Sequence, residues 1–168
     1  RFKRPYVDKK YGIPFISGAN ITRLKRVGVK YISKKMKNLE NYIVKKDWIF
    51  VTRSGTSGIV VYADASFDGL AVSEHVIRII PNTKEIDAGY LYAILSSPIF
   101  EPIFESAITG SVIDEITPNF IKGLEIPVPD DPKEQEKIGN KIKEAEKNIA
   151  SAKKSFIDVE KNIDEILK

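Results

Sequence analysis

The clearest pattern of apolar and polar positions lies at the C-terminal end. From Glu134 onward there is no proline and one glycine, Gly139. Apolar or small residues fall at Ile138, Ile142, Ala145, Ile149, Ala152, Phe156, Val159, Ile163 and Ile166, with Lys, Glu, Asp and Asn on the other faces. The steps alternate between four and three, a heptad seam that predicts one unbroken coiled-coil helix. At about 1.5 Å per residue such a helix is roughly 50 Å long. Asp131 and Pro132 supply its start, and Glu134 and Glu136 put acid in the first turn, where the helix dipole favours it. A narrow seam with charged flanks suits a partner helix better than a broad core. A helix folded back on its own domain is the alternative.

Residues 1–130 follow a different pattern. Glycine, proline and β-branched residues interrupt short apolar runs. WIFVTR (48–53), GIVVYA (58–63), GIPFI (12–16), EHVIRII (74–80) and LEIPVP (124–129) read as strands. Leu91, Ile94, Leu95, Ile99 and Phe104 have helical spacing interrupted by Pro98 and Pro102, which predicts a helix ending near Ser96–Ser97 and a second short one after it. PNFIKGL (118–124) suits a further helical turn, and VPDDPKEQ (128–135) is the hinge before the long helix. There is no internal repeat. The expected fold class is α+β: a mixed, β-rich globular domain over 1–130, followed by one long C-terminal coiled-coil helix over 131–168.

Composition narrows the chemistry. The chain has 168 residues, 42% hydrophobic and 30% charged, enough for a real core and a soluble surface. Cysteine is absent, which excludes disulfides, thiolate metal sites and a cysteine nucleophile. No apolar run is long enough to span a membrane, and RFKRPYVDKK has no apolar region behind it as a signal peptide would. A cytoplasmic protein fits these features. The chain opens without Met, as expected of a piece of a longer protein. The net charge of +4 conceals a split. Residues 1–60 hold 15 Lys and Arg against 3 Asp and Glu, residues 61–130 hold 3 against 11, and residues 131–168 hold 9 against 9. A basic first third suits a polyanion partner; a lysine-rich surface offset by the acidic middle is the bland alternative.

RSGTSG (53–58) invites a test as a phosphate loop. A nucleotide loop of the Walker type needs a Lys after its second glycine and a helix behind it. Here Ile59 and Val60 follow and lead into a strand. What remains is a tight strand–loop–strand in which Gly55 and Gly58 permit unusual backbone, and Arg53, Ser54, Thr56 and Ser57 can donate to phosphates or base edges. A mere hairpin turn is the alternative. His75 is the single histidine and enters a strand, with no nucleophile elbow or telling carboxylate spacing nearby, so catalysis there is not expected. One histidine and no cysteine also leave no zinc set. Asp64, Asp68, Asp114 and Glu115 have no specific metal spacing. The stretch 21–38 is better: Arg23 and Arg26 suit bidentate contacts with guanine, and Lys25, Lys30, Lys34, Lys35 and Lys37 suit phosphates. Tyr31 and Tyr42 read as packing residues.

Several blocks then line up in order: GIPFISGANIT, DWIFVTRSGTSGIV, VSEHVIRIIP, GYLYAILSSPIF and TGSVIDEITPNFIKGLEIPVPDDPKEQEKI. The series resembles one target-recognition domain plus one spacer helix of the specificity (S) subunit of type I restriction-modification enzymes, over essentially the whole chain. The resemblance implies sequence-specific binding of double-stranded DNA without chemistry of its own. It implies two further partners: a modification subunit that methylates adenine with S-adenosylmethionine, and a restriction subunit that uses ATP. No cofactor is expected on this chain. One recognition domain and one helix make half of the usual subunit. The seam therefore suits a homodimer or a second recognition half. The recognition domain of a single-chain restriction–methylation enzyme is an alternative, as is a coiled-coil scaffold that does not touch DNA. Matching the blocks selects Ser17, Asn20, Arg23, Lys25, Arg26, Arg53, Ser54, Thr56 and Ser57 as DNA-contact candidates, with His75 and Ser111 as weaker ones. Gly110, Pro127 and Pro129 are expected to shape the backbone.

Overall fold

Short apolar runs separated by glycine, proline and polar turns form short strands in the first half of the chain, which the computed structural model arranges as two small sheets; it describes residues 4–109 and 115–167. In chain order the elements are β1 (Gly12–Ile16), α1 (Gly18–Ile21), β2 (Lys30–Ser33), β3 (Ile49–Thr52), β4 (Val60–Tyr62), β5 (Ala71–Val72), β6 (Val76–Ile79), α2 (Ala88–Leu95), α3 (Glu101–Thr109), α4 (Pro118–Lys122) and α5 (Pro132–Ile166). In one sheet β1 is central, antiparallel to β2 and parallel to β5. In the other β3 is central, antiparallel to both β4 and β6.

All four residues of β3 are buried, and their alternation divides the core. Ile49 and Val51 point to one side, where Leu91, Leu95, Phe100, Phe104 and Ile116 close over the second sheet. Phe50 points to the other, among Ile16, Val44, Phe67, Val72 and Val76 between the sheets. Helices α2, α4 and α5 begin where side chains cap them. The Asp87 carboxylate accepts from the N–H groups of Gly89 and Tyr90 at 2.8 and 3.0 Å, Thr117 caps α4 and Asp131 caps α5. The helix expected to stop near Ser96 does so, with Ser96 as its C-cap.

The α+β expectation and the long C-terminal helix are borne out. One expected strand is not. LEIPVP (124–129) forms no ladder. Pro127 and Pro129 lack the N–H a strand needs, and the segment runs as a strap. Its Leu124 and Ile126 pack on the core, and the Pro127 carbonyl accepts from the Tyr90 hydroxyl at 2.8 Å. Strands β2 and β5 were not expected. β5 has two residues, too few to show alternation, and β2 lies inside the basic stretch 21–38.

Helix α5 spans 35 residues, roughly 50 Å, and its first half docks on α2. The two helices cross at Gly89 and Gly139: a Cβ on Gly89 would lie 2.5 Å from the Gly139 carbonyl oxygen. Around the crossing, Lys143 pairs with Asp87 at 2.5 Å. Gln135, 6% exposed, accepts from the Asp87 N–H at 3.1 Å. Of the seam, Ile142 is half-buried against the core. Ile138, Ala145, Ile149, Ala152, Phe156, Val159, Ile163 and Ile166 are exposed, Phe156 at 61% and Ile166 at 81%. Among the described residues, no helix is long and apolar enough to cross a membrane.

Candidate nucleic-acid interface

Two loops and a strand end converge beside the first sheet. β1 ends at Ile16, and Ser17 starts the short α1. There the Ser17 N–H and hydroxyl both donate to Asn20 Oδ1, at 3.1 and 3.0 Å, while Asn20 Nδ2 donates to the Val27 carbonyl at 2.9 Å. Asn20 thereby ties α1 to the far end of the 22–28 loop. The second loop is RSGTSG. Thr52 Oγ1 donates to the Thr56 carbonyl and accepts from the Ile59 N–H, and Ser57 Oγ donates to the Arg53 carbonyl. Gly55 has φ +84° with open space where a side chain would stand, which leaves the loop tip bare backbone.

Antiparallel pairing of β3 with β6 sets Thr52 opposite Val76. The residues just beyond therefore meet: the Arg53 N–H donates to the His75 carbonyl at 2.9 Å, and Ser54 Oγ lies 2.8 Å from His75 Nδ1. His75 Nε2 faces Glu74 at 3.8 Å. Burial pushes the Glu74 carboxyl up, but its own backbone N–H and Arg4 outweigh this, and it ionises below the usual carboxylate range. With that carboxylate committed to Arg4, the Ser54–His75 pair offers a hydroxyl and an imidazole edge to a ligand.

These groups line a cleft of about 460 Å³. Ser17, Asn20, Ser54 and His75, all singled out from the sequence, share it with Gly55, Ser73, Arg4, Tyr6 and Lys30. Arg4 lies 5.6 Å from the Phe15 ring and Lys30 lies 5.0 Å from the Tyr6 ring, so aromatic faces hold both cations at the wall. Arg4 and Tyr6 were not singled out. The signal for them was the β1–β2 register, which pairs Phe15 with Lys30, and the bridge from Tyr6 to Ile32.

The other candidates lie elsewhere. Arg53 turns its guanidinium to Glu115, at 3.0 Å. Thr56 is exposed on the loop, and Ser57 lines a separate hollow against α3. Lys25 pairs with Glu160 of α5. Arg26 stacks 4.1 Å from the Phe67 ring and donates to the Ser66 carbonyl and hydroxyl at 2.9 and 2.7 Å. With Arg23 they line a second groove, between the 22–27 loop and α5. Ser111, like Gly110 and Asp114, falls outside the described residues. Among the described residues no group of acidic or imidazole side chains is arranged to hold a metal ion.

Residues 2–161 match the profile of the type I restriction modification DNA specificity domain. The chain belongs to this family. The fold of this specificity domain is similar to that of the S subunit of a type I restriction-modification system from M. genitalium, with a TM-score of 0.63 at 14% identity. That match covers 100% of this chain and 42% of that one. It is also similar to the HsdS subunit from Thermoanaerobacter tengcongensis, with a TM-score of 0.56 at 13% identity over 98% of this chain and 44% of that one. A chain from a structural study of complex assembly and conformational transition in the type I R-M system gives 0.58 at 16% identity, over 98% of this chain and 44% of that one. The specificity domain thus spans less than half the length of the chains it resembles. No curated protein sequence matches it.

Proposed function

We propose that this specificity domain reads double-stranded DNA through the face that holds the cleft, as one half of the recognition subunit of a type I restriction-modification system. The observation that carries the reading is the convergence of Ser54 and His75, at 2.8 Å, with Ser17, Lys30 and Arg4 around one opening. Hydroxyls, an imidazole and an exposed glycine backbone suit phosphate oxygens and base edges, and Lys30, held over the Tyr6 ring, adds counter-charge. Residues 1–130 act as the target-recognition domain and residues 131–168 as the spacer. The chain performs no methyl transfer or cleavage and binds neither S-adenosylmethionine nor ATP. Those steps belong to the modification and restriction subunits that it directs to the site, in the cytoplasm. The exposed seam takes a partner helix, from a second copy or from a second recognition half.

The test is duplex binding by the chain together with its modification subunit, measured across a salt series. Affinity should fall steeply with salt, and the Ser54→Ala/His75→Ala pair should weaken it. Binding that ignores both salt and this pair would refute the reading.

A further inference from the structure

The groove between the 22–27 loop and α5 has a volume of about 540 Å³ and an unusual lining. Its floor is apolar: Leu24, 53% exposed, with Phe67, Ala150 and Ile157. Its rim is cationic: Arg23, Lys25 and Arg26 from the loop face Lys153 and Lys154 from the helix. No carboxylate is among the lining residues. Glu160 pairs with Lys25, and Glu146 lies near enough to Lys153 to feel its charge. Among the described residues, no carboxylate forms a salt bridge with Arg23, Lys153 or Lys154.

We infer that the helix is itself part of the DNA surface: the groove holds the sugar–phosphate backbone, with Lys153 and Lys154 as phosphate contacts. This rests on the DNA reading above and extends it from the globular part to the rod. Two features favour a nucleic-acid strand. A polymer that alternates phosphates with apolar sugar faces matches a cationic rim over an apolar floor, where a single acidic side chain would use one or two of five cations. The groove also adjoins the cleft across the 20–28 segment, with Asn20 and Gly28 on the cleft side and Arg23 to Arg26 on the groove side. Lys25 on Glu160 holds that segment to the helix, and Arg26 on Phe67 and Ser66 holds it to the globular part, so the two sides of the track are kept in register. DNA gripped by the cleft would then run along the helix, beside the seam left for a partner.

The test is a Lys153→Gln/Lys154→Gln double variant, with Lys137→Gln/Lys141→Gln on an exposed stretch outside the groove as control. Each is assembled with the modification subunit and titrated against the methylated site duplex over a salt series. The groove variant should show a log–log slope shallower by about 1.8, near 0.9 for each lost phosphate contact. The methylated motif and the assembly should be unchanged, and the control should behave as wild type. An unchanged slope overturns the inference while leaving the DNA reading standing. So does an altered motif, or weakened assembly with the modification subunit, which would mark the groove as a site for an acidic peptide. A wild type without salt-dependent binding overturns both.

Discussion

The long helix has two working faces, and they reverse the usual relation between hydrophobicity and contact. The face rich in Ile, Val and Phe stands open, from Ile149 through Ile166. The face that docks on the globular part is made of Gln135, Gly139, Lys143 and Glu146, with Ile142 as its apolar member. The docked face works by close approach and by polar pairs that are satisfied on burial: the Gly89–Gly139 crossing, the Lys143–Asp87 ion pair and the Gln135 amide on the Asp87 N–H. The open face has no such anchors and depends on apolar area alone. One helix can thus be fixed to its own domain and still keep a seam for another chain. A polar or small stripe is therefore no evidence that a helix face is solvated.

The comparison breaks most visibly at the crossing. Gly89→Val should force a side chain into the Gly139 backbone and destabilise the chain by about 3 kcal/mol or more, since nothing there can move cheaply. Denaturant unfolding measures it, and a loss under about 0.5 kcal/mol would mean that the docked face holds nothing. The opposite change belongs on the open face. Phe156→Glu with Ile163→Glu should abolish helix pairing, seen as a fall in mass by light scattering, while leaving the unfolding free energy of the monomer within about 0.5 kcal/mol. A smaller effect is expected away from the helix. His75→Ala should lower duplex affinity about five- to tenfold, as loss of one hydrogen-bonding group does, and leave pairing through the seam intact.

The smallest expected effect refines the docked face. Burial pushes the Glu146 carboxyl above the usual carboxylate range, with Tyr92 as its neighbour. The folded chain therefore keeps a proton that the unfolded chain has already lost. Stability should fall as pH rises from the ordinary carboxylate value through the raised one. Glu146→Gln should remove that fall while keeping a hydrogen-bonding group beside Tyr92. Unfolding from about pH 4 to 7 checks this, and an unchanged pH profile would show that Glu146 is solvated.

Much of this organisation was legible in residue order. The heptad seam announced the helix, Asp131 and Pro132 its start, and Ser96 the end of α2. The doubly buried β3 was visible as the apolar run WIFV ahead of Thr52. The family resemblance followed from ordered blocks. The docked face was not legible, because Gln135, Gly139 and Lys143 carry no apolar signal and gain their role from Asp87 and Gly89, 48 to 56 residues away. The strap at 124–129 was misread as a strand because its alternation is real but its prolines cannot join a ladder. The cleft lay between. Ser54 and His75 were both chosen, but their meeting follows from the β3–β6 register, which local sequence does not specify. The N-terminal cations read only as a basic block suited to a polyanion partner. Instead Arg4, Lys10, Lys30 and Arg26 lie over aromatic rings, and the 22–27 loop divides cleft from groove.

On the proposed reading, the cleft chooses where on DNA a methylating complex acts. Methylome sequencing tests it most directly, in cells carrying the complete system with the chain intact or bearing Ser54→Ala/His75→Ala. Adenine methylation at one defined motif is expected with the intact chain, and its loss or relaxation with the double variant. Full methylation of the same motif in both would contradict it.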